Sequence, residues 1–319
     1  MSASQHNPER ILRRLDWTVI RRLDGMLYGD YRTLFRGNGI DLADLREYQY
    51  HDDVRHIDWN VTARLQTPYV REFHEDREVT AWFLLDLSPS IDFGSAAKKR
   101  SLSIEFITVL ARLLTRQGNR VGALFYGDRV DTVVPARGGR RHVLGLLHRL
   151  LQRPEMPRSE ETDLRAFLRA AYQMMPRRSL VFIVSDFFSR PGWAEPLMHL
   201  ARRHEVVAVR LYDALERELP DLGMLVMQDA ETGEQLFVDT HDGGFRRRFA
   251  SIAERREREL RGALARAGVD CLELATDGEL VDAVMRFADL RKRRSRIYGG
   301  GMPHAAAGGI LHGHLEKVA

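Results

Sequence analysis

The chain has 319 residues, of which 44% are hydrophobic and 29% charged, and its formal net charge is +4. That length and balance exclude a wholly disordered chain and fit one substantial core with a smaller added element. The single cysteine, Cys271, excludes an intrachain disulfide and a cysteine-built zinc site, and suits a reducing, cytoplasmic setting.

No apolar run approaches the roughly 20 residues that span a bilayer. Met1 to Arg14 lacks the apolar stretch of a secretory signal. The expected protein is soluble and cytoplasmic, able to dock on membrane-associated proteins without a transmembrane segment of its own.

Three segments follow from composition and period. Residues 1–77 are polar, rich in Arg and Asp, and irregular; they are expected to form a smaller β-containing region that packs on the main domain. Residues 78–290 alternate apolar runs with amphipathic stretches. Residues 291–319 are basic and then rich in Gly, Ala and His, too poor in apolar surface to order themselves. The tail histidines His304, His312 and His314 are read as inert.

Within the middle segment, Val79–Leu87 reads as a strand buried on both faces. Residues 96–117 predict a helix with Leu102, Phe106, Val109, Leu110, Leu113 and Leu114 on one face, stopped at Gly118. Val121–Phe125 and Arg129–Val134 predict a hairpin about Tyr126-Gly127-Asp128. Helices follow at 141–152 and 163–173. Ser179–Ser185 is a second buried strand. A helix at 193–203 leads to a strand at Glu205–Leu211, and Met224–Gln228 with Gln235–Val238 predict a small hairpin. A long charged helix, 244–267, is expected to bury Phe245, Phe249, Ile252, Leu260 and Leu264. Val269–Leu274 is the last strand, and Thr276-Asp277-Gly278-Glu279 reads as a capping box for the last helix. The order predicts an α/β fold: a doubly wound, mostly parallel sheet with helices on both faces.

Open parallel sheets bind ligands at the carboxyl ends of their strands. Asp86-Leu87-Ser88-Pro89-Ser90 and Asp186 close two buried strands, and Thr162 sits at a helix entrance. Two serine hydroxyls, a threonine hydroxyl and two carboxylates make a weak, open oxygen site suited to Mg²⁺ with several waters retained. Plainer readings stand beside this one: a serine turn at Ser88 and Ser90, an N-cap at Thr162, and an arginine partner for Asp186.

The set Asp86, Ser88, Ser90, Thr162 and Asp186 resembles the metal-ion-dependent adhesion site of von Willebrand factor A domains. The resemblance implies Mg²⁺, Mn²⁺ or Ca²⁺ ligated by the hydroxyls, with the acids acting partly through water and a partner carboxylate completing the shell. Upstream stand Arg36-Gly37-Asn38-Gly39, Leu45-Arg46-Glu47-Tyr48, Asp52-Asp53-Val54-Arg55-His56-Ile57-Asp58-Trp59, Ala63-Arg64 and Tyr69-Val70-Arg71-Glu72-Phe73. This order resembles the DUF58 family of bacterial proteins with a von Willebrand A-like domain. The chain departs from the family in His51, where Gly is usual, and in the acidic Ser159-Glu160-Glu161-Thr162 loop, where glycines are common. The resemblance implies an adaptor or chaperone-like partner of a MoxR-type AAA+ ATPase.

Asp52, Asp53, Arg55, Asp58, Arg64 and Arg71 read as an ion-pair and hydrogen-bond network that holds the N-terminal region, or as a docking surface. Gly37-Asn38-Gly39 lacks the length and the Lys-Ser/Thr ending of a phosphate loop. The clusters Arg137, Arg140, Arg141 and 291–296 read as solvated basic surface, with no nucleic-acid reader beside them. The competing functional class is a Mg²⁺-dependent phosphohydrolase with Asp86 as nucleophile. Haloacid dehalogenase-type phosphatases have a second Asp two residues on; here Ser88 stands there and the usual general acid is missing.

Overall fold

The computed structural model describes residues 7–20, 23, 44–49, 52, 54, 57–72, 79–156 and 161–299. The chain enters through α1 (Pro8–Leu15), whose first turn is capped by Asn7 accepting from the Glu9 N–H at 3.0 Å. Leu12 and Leu15, with Val19, Ile20 and Leu23, are buried in the same cluster as the main helices. The N-terminal segment therefore contributes to the principal core and is not only an added layer. Its helix was unreadable because three apolar residues at helical spacing sit in a strongly basic stretch.

A small antiparallel pair, β1 (Asp44–Glu47) and β2 (Tyr69–Glu72), brackets α2 (Trp59–Leu65). Asp58 caps α2 by accepting from the Asn60 and Val61 N–H groups, and Asp52 accepts from the Gln49 N–H. These bonds are local, a turn and a helix cap within the N-terminal segment. Asp53, Arg55, Arg36–Gly39, Glu160 and the tail histidines lie outside the described residues.

The main sheet has six strands in the order β10-β7-β6-β3-β4-β5. These are β3 (Thr80–Asp86), β4 (Arg120–Tyr126), β5 (Val130–Arg137), β6 (Leu180–Ser185), β7 (Glu205–Tyr212) and β10 (Asp270–Ala275). All pairs are parallel except β4 with β5, the expected hairpin. Alternate residues of β3 serve opposite cores, as strand geometry requires. Ala81, Phe83 and Leu85 face one, and Leu84 faces the other.

On the first face pack α1, α3 (Lys99–Arg116), α4 (Arg140–Gln152) and α8 (Leu280–Gly299). Phe83 stacks on Phe182 at 5.3 Å, with Phe106 edge-on to both. On the second face pack α5 (Leu164–Met174), α6 (Ala194–Arg203) and the end of α7 (Gly243–Ala267). The architecture is the doubly wound α/β fold that the sequence predicts. No described helix is long and apolar enough to cross a membrane.

Three local expectations are corrected. In α7 only Leu260, Ala263 and Leu264 are buried; Phe245 and Phe249 are half-covered and Ile252 is 44% exposed. A 25-residue helix is about 37 Å long, whereas the strands beneath it, six to eight residues, reach roughly 20–26 Å. Its N-terminal turns therefore overhang the sheet. Thr276 does not open a capping box: its hydroxyl donates to Asp213 Oδ2 at 2.5 Å, and α8 begins four residues later. That last helix also runs to Gly299, past the boundary placed at 290. Its Arg291 bridges Glu205 at 2.9 Å and Asp270 at 3.0 Å.

At the C-cap of α6, His204 is 3% exposed and neither ring nitrogen finds a partner among the described residues. Burial, aided by the Arg203 charge, pushes its imidazole down to about 4. The folded state thus holds His204 neutral, while the unfolded chain binds a proton below about 6.5. Stability is expected to fall by up to roughly 3 kcal/mol as pH drops from 6.5 to 4, and to level off below. Urea unfolding of wild type and His204→Leu across that range checks this: the slope with pH should be shallower in the variant.

Candidate metal centre at the sheet switch point

β3 is flanked by β4 on one side and β6 on the other. The chain runs outward from β3 through β4 and β5, then crosses back to continue outward through β6, β7 and β10. The gap between the carboxyl ends of β3 and β6 is therefore the switch point, where an open sheet leaves a crevice. Leu85 pairs with Val184, so the next residues, Asp86 and Ser185, stand side by side. The Ser185 hydroxyl donates to Asp86 Oδ2 at 2.6 Å.

Asp86 is fully buried, and its Oδ1 accepts from the Ser88 N–H at 3.1 Å. This bond folds the Leu87–Ser90 loop back over the strand end. The Ser88 and Ser90 hydroxyls then lie 3.2 Å apart, both buried. Thr162 is 4% exposed and is pinned through its carbonyl, which accepts from the Arg190 N–H at 3.0 Å and the Ser189 hydroxyl at 2.9 Å. It is not an N-cap; Asp163 caps α5 by accepting from the Ala166 N–H. Glu161 points outward and pairs with Arg190 at 3.4 Å.

Asp186 is 3% exposed, and its partner is a lysine rather than an arginine. Lys99 Nζ donates to Asp186 Oδ2 at 2.8 Å and also pairs with Glu216. The ammonium is completely buried, with the Phe188 and Phe93 rings 5.2 and 5.8 Å away. Burial pulls its pKa down, but Asp186 and Glu216 outweigh that and hold it above the ordinary lysine value. Asp186 Oδ1 accepts from the Phe188 N–H at 3.0 Å, and Ser185 Oγ from the Phe187 N–H at 2.8 Å. Together they hold Phe187 at φ 61°, a region costly for an aromatic side chain.

A fourth carboxylate arrives from outside the sheet. The turn between β8 (Met224–Gln228) and β9 (Gln235–Asp239) brings Glu231 over the crevice. Glu231 Oε1 accepts from the Thr162 hydroxyl at 3.1 Å and from the Ser90 N–H at 3.3 Å. A continuous chain of contacts thus joins Asp86, Ser88, Ser90, Glu231 and Thr162, with Asp186 acting on Asp86 through its charge. All five residues expected at the site are brought to one place. Lys99, Glu216, Ser185 and Glu231 are additions. Lys99 carried a signal: with Leu102, Ser103 and Phe106 it continues the apolar stripe of α3, a strange position for a lone charge. Glu231 carried none, being 141 residues from Ser90 in sequence.

The electrostatics follow from this inventory. Asp186 and Glu216 pair with the Lys99 ammonium, while Asp86 and Glu231 have no salt bridge to a described cation. Burial and the neighbouring Asp186 charge push Asp86 up to about 7, despite the Ser185 and Ser88 bonds. Burial likewise raises Glu231 and Glu216 above the usual carboxylate range. Among the described residues no three Asp, Glu, His or Cys side chains converge as a metal cage. What converges is a hydroxyl-rich set of hard oxygens beside buried carboxyl groups, a donor set that fits a weakly held divalent ion of the Mg²⁺ type. Asp186 has the Lys99 ammonium on one oxygen and the Phe188 N–H on the other.

Asp213 braces the rim. It accepts from the Ser95 N–H and hydroxyl, the Thr276 hydroxyl and the Leu215 N–H. Burial would raise its pKa, but these donors hold it below the ordinary carboxylate range. The ends of β7 and β10 are thereby tied to the Ser95 loop that leads into α3 and Lys99.

A family model described as "Protein of unknown function DUF58" matches residues 44–259. Uncharacterized proteins of Mycobacterium bovis and Mycobacterium tuberculosis are 37% identical over 285 residues, covering 88% of this chain and 89% of theirs. Among solved structures, the conserved hypothetical protein BatB from Bacteroides thetaiotaomicron is 13% identical with a TM-score of 0.42, covering 67% of this chain and 99% of that one. An aerotolerance-related membrane protein from Bacteroides fragilis is 12% identical with a TM-score of 0.45 at the same coverage.

Two adjacent lysines test the charge inventory. Lys99→Met strands Asp186 and Glu216 without their cation and is expected to cost about 3–5 kcal/mol in chemical denaturation. Lys98→Met removes an exposed pair with Glu155 and is expected to cost under about 1 kcal/mol. Equal losses would contradict the burial argument.

Proposed function

The chain belongs to the DUF58 family, and on that footing we propose that it is a binding module that grips an acidic side chain of a partner protein through a divalent cation. The carrying observation is the surplus of buried carboxylate beside the Ser88, Ser90 and Thr162 hydroxyls at the switch point. Ser88, Ser90 and Thr162 would hold the ion directly, and Asp86 and Asp186 would steady it through their charge and through water. When bound, Mg²⁺ or Mn²⁺ offers an open position to an incoming carboxylate; Ca²⁺ fits the same donors less tightly. The protein's own contribution is a preformed loop, a fixed Asp86 and a rigid Thr162, so little ordering remains to be done on binding.

The partner proposed is a MoxR-type AAA+ ATPase or its client, as the family resemblance implies, with this chain serving as the adaptor and performing no turnover itself. A phosphohydrolase draws no support from the geometry. Asp86 is fully buried and both its oxygens already accept hydrogen bonds, a poor setting for a nucleophile that must reach phosphorus.

Mn²⁺ titration followed calorimetrically should give saturable one-site binding to the wild type, weakened at least about tenfold in Asp86→Ala and in the milder Ser90→Ala. Capture of the purified MoxR-type ATPase from the same cell should require Mg²⁺ and vanish in EDTA. Capture unaltered by EDTA contradicts the metal-bridged mechanism.

A further inference from the structure

Glu231 stands where the proposed function needs a partner's carboxylate. Its Oε1 takes the Thr162 hydroxyl and the Ser90 N–H, two groups on opposite walls of the crevice. Its Oε2 is enclosed and has no hydrogen-bond partner among the described residues. A carboxylate that spends one oxygen on both walls and leaves the other enclosed and unused is poorly satisfied as a structural group. It is well placed to meet a cation held by the same walls. Glu231 is also built to arrive there: Asp229 accepts from the Glu231 and Thr232 N–H groups at 2.9 and 2.8 Å, fixing the turn that projects it.

The hairpin that carries Glu231 is lightly held. Of its strand residues only Val238 is buried, while Met224, Val226, Leu236 and Phe237 are exposed. Its base is closed by the Thr240 hydroxyl donating to the Gly223 carbonyl at 2.7 Å, with Leu222 N–H donating to the same hydroxyl at 2.9 Å. A unit with so little buried apolar surface opens at low cost compared with the strands of the main sheet.

We infer that Glu231 is the site's own carboxylate: it closes the metal crevice from within the chain, and a partner's acidic side chain binds by displacing the Asp229–Glu234 turn. The inference rests on the metal-bridged reading above and adds an internal competitor to it. The self-closed state lowers the apparent affinity for any outside carboxylate by the fraction of molecules in which the hairpin stands open. Removing the Glu231 carboxylate therefore loosens the ion and admits the outside carboxylate, two effects of opposite sign.

The test uses the full chain loaded with Mn²⁺, water-proton relaxation to count waters on the ion, and free glutarate as the carboxylate probe. Glu231→Gln keeps an acceptor for Thr162 and Ser90, and Glu231→Ala removes it; Glu234→Gln on the same hairpin is the control. Both Glu231 variants should hold Mn²⁺ more weakly and with more bound water, and should bind glutarate about tenfold tighter than wild type. Glu234→Gln should match wild type. If Mn²⁺ binds all four proteins with the same hydration and the same glutarate affinity, the internal carboxylate is refuted while the metal reading stands. The same shift in Glu234→Gln refutes it too, because it would then be a general effect of hairpin charge. Absence of Mn²⁺ binding in every protein overturns the metal reading and this inference together.

Discussion

Lys99 carries one positive charge to a place that solvent does not reach, and Asp186 and Glu216 close around it. A buried ammonium tolerates removal of its partners poorly, so the β6 end and the turn after β7 are bound to the first turn of α3. One charge also satisfies only so much. Asp86 lies beside Asp186 with no cation of its own among the described residues, and burial drives it toward the protonated form. The site is thus rigid and electrostatically incomplete at once.

The topology explains why these groups meet. A sheet that reverses its winding between β3 and β6 leaves a crevice there, and parallel strands deliver their carboxyl ends to the same edge. Leu85 and Val184 fix the register that puts Asp86 against Ser185. The strained Phe187 and the four-donor shell of Asp213 hold the rim in shape. This bracing of a loop edge is the kind of local constraint that motivates the binding role proposed above.

The strands and helices of the middle segment were legible because continuous apolar runs and helical stripes encode buried strands and amphipathic helices directly. That Asp86, Ser88, Ser90, Thr162 and Asp186 would lie near one another was legible because each follows a strand or precedes a helix at the carboxyl edge of the sheet. What escaped were features that only tertiary contact creates. Thr276 has the local pattern of a cap, but Asp213 takes its hydroxyl. Phe249 and Ile252 repeat at helical spacing, yet α7 outruns the sheet. Glu231 looks like an ordinary turn residue until the hairpin is folded over the crevice. Lys99 is readable in principle, as a lone charge on the apolar stripe of α3.

Family membership supplies the frame, and the strand-end chemistry supplies the mechanism proposed within it: hydroxyls that hold a hard cation, acids that steady it, and a carboxylate from a partner that completes it. The measurement that bears most directly on this is a crystal structure grown with Mn²⁺ and phased on its anomalous signal. The account predicts a single strong peak among the Ser88, Ser90 and Thr162 hydroxyls, with Lys99 still paired to Asp186. An empty crevice in crystals holding Mn²⁺ elsewhere, or a Lys99 ammonium moved into that position, would contradict it.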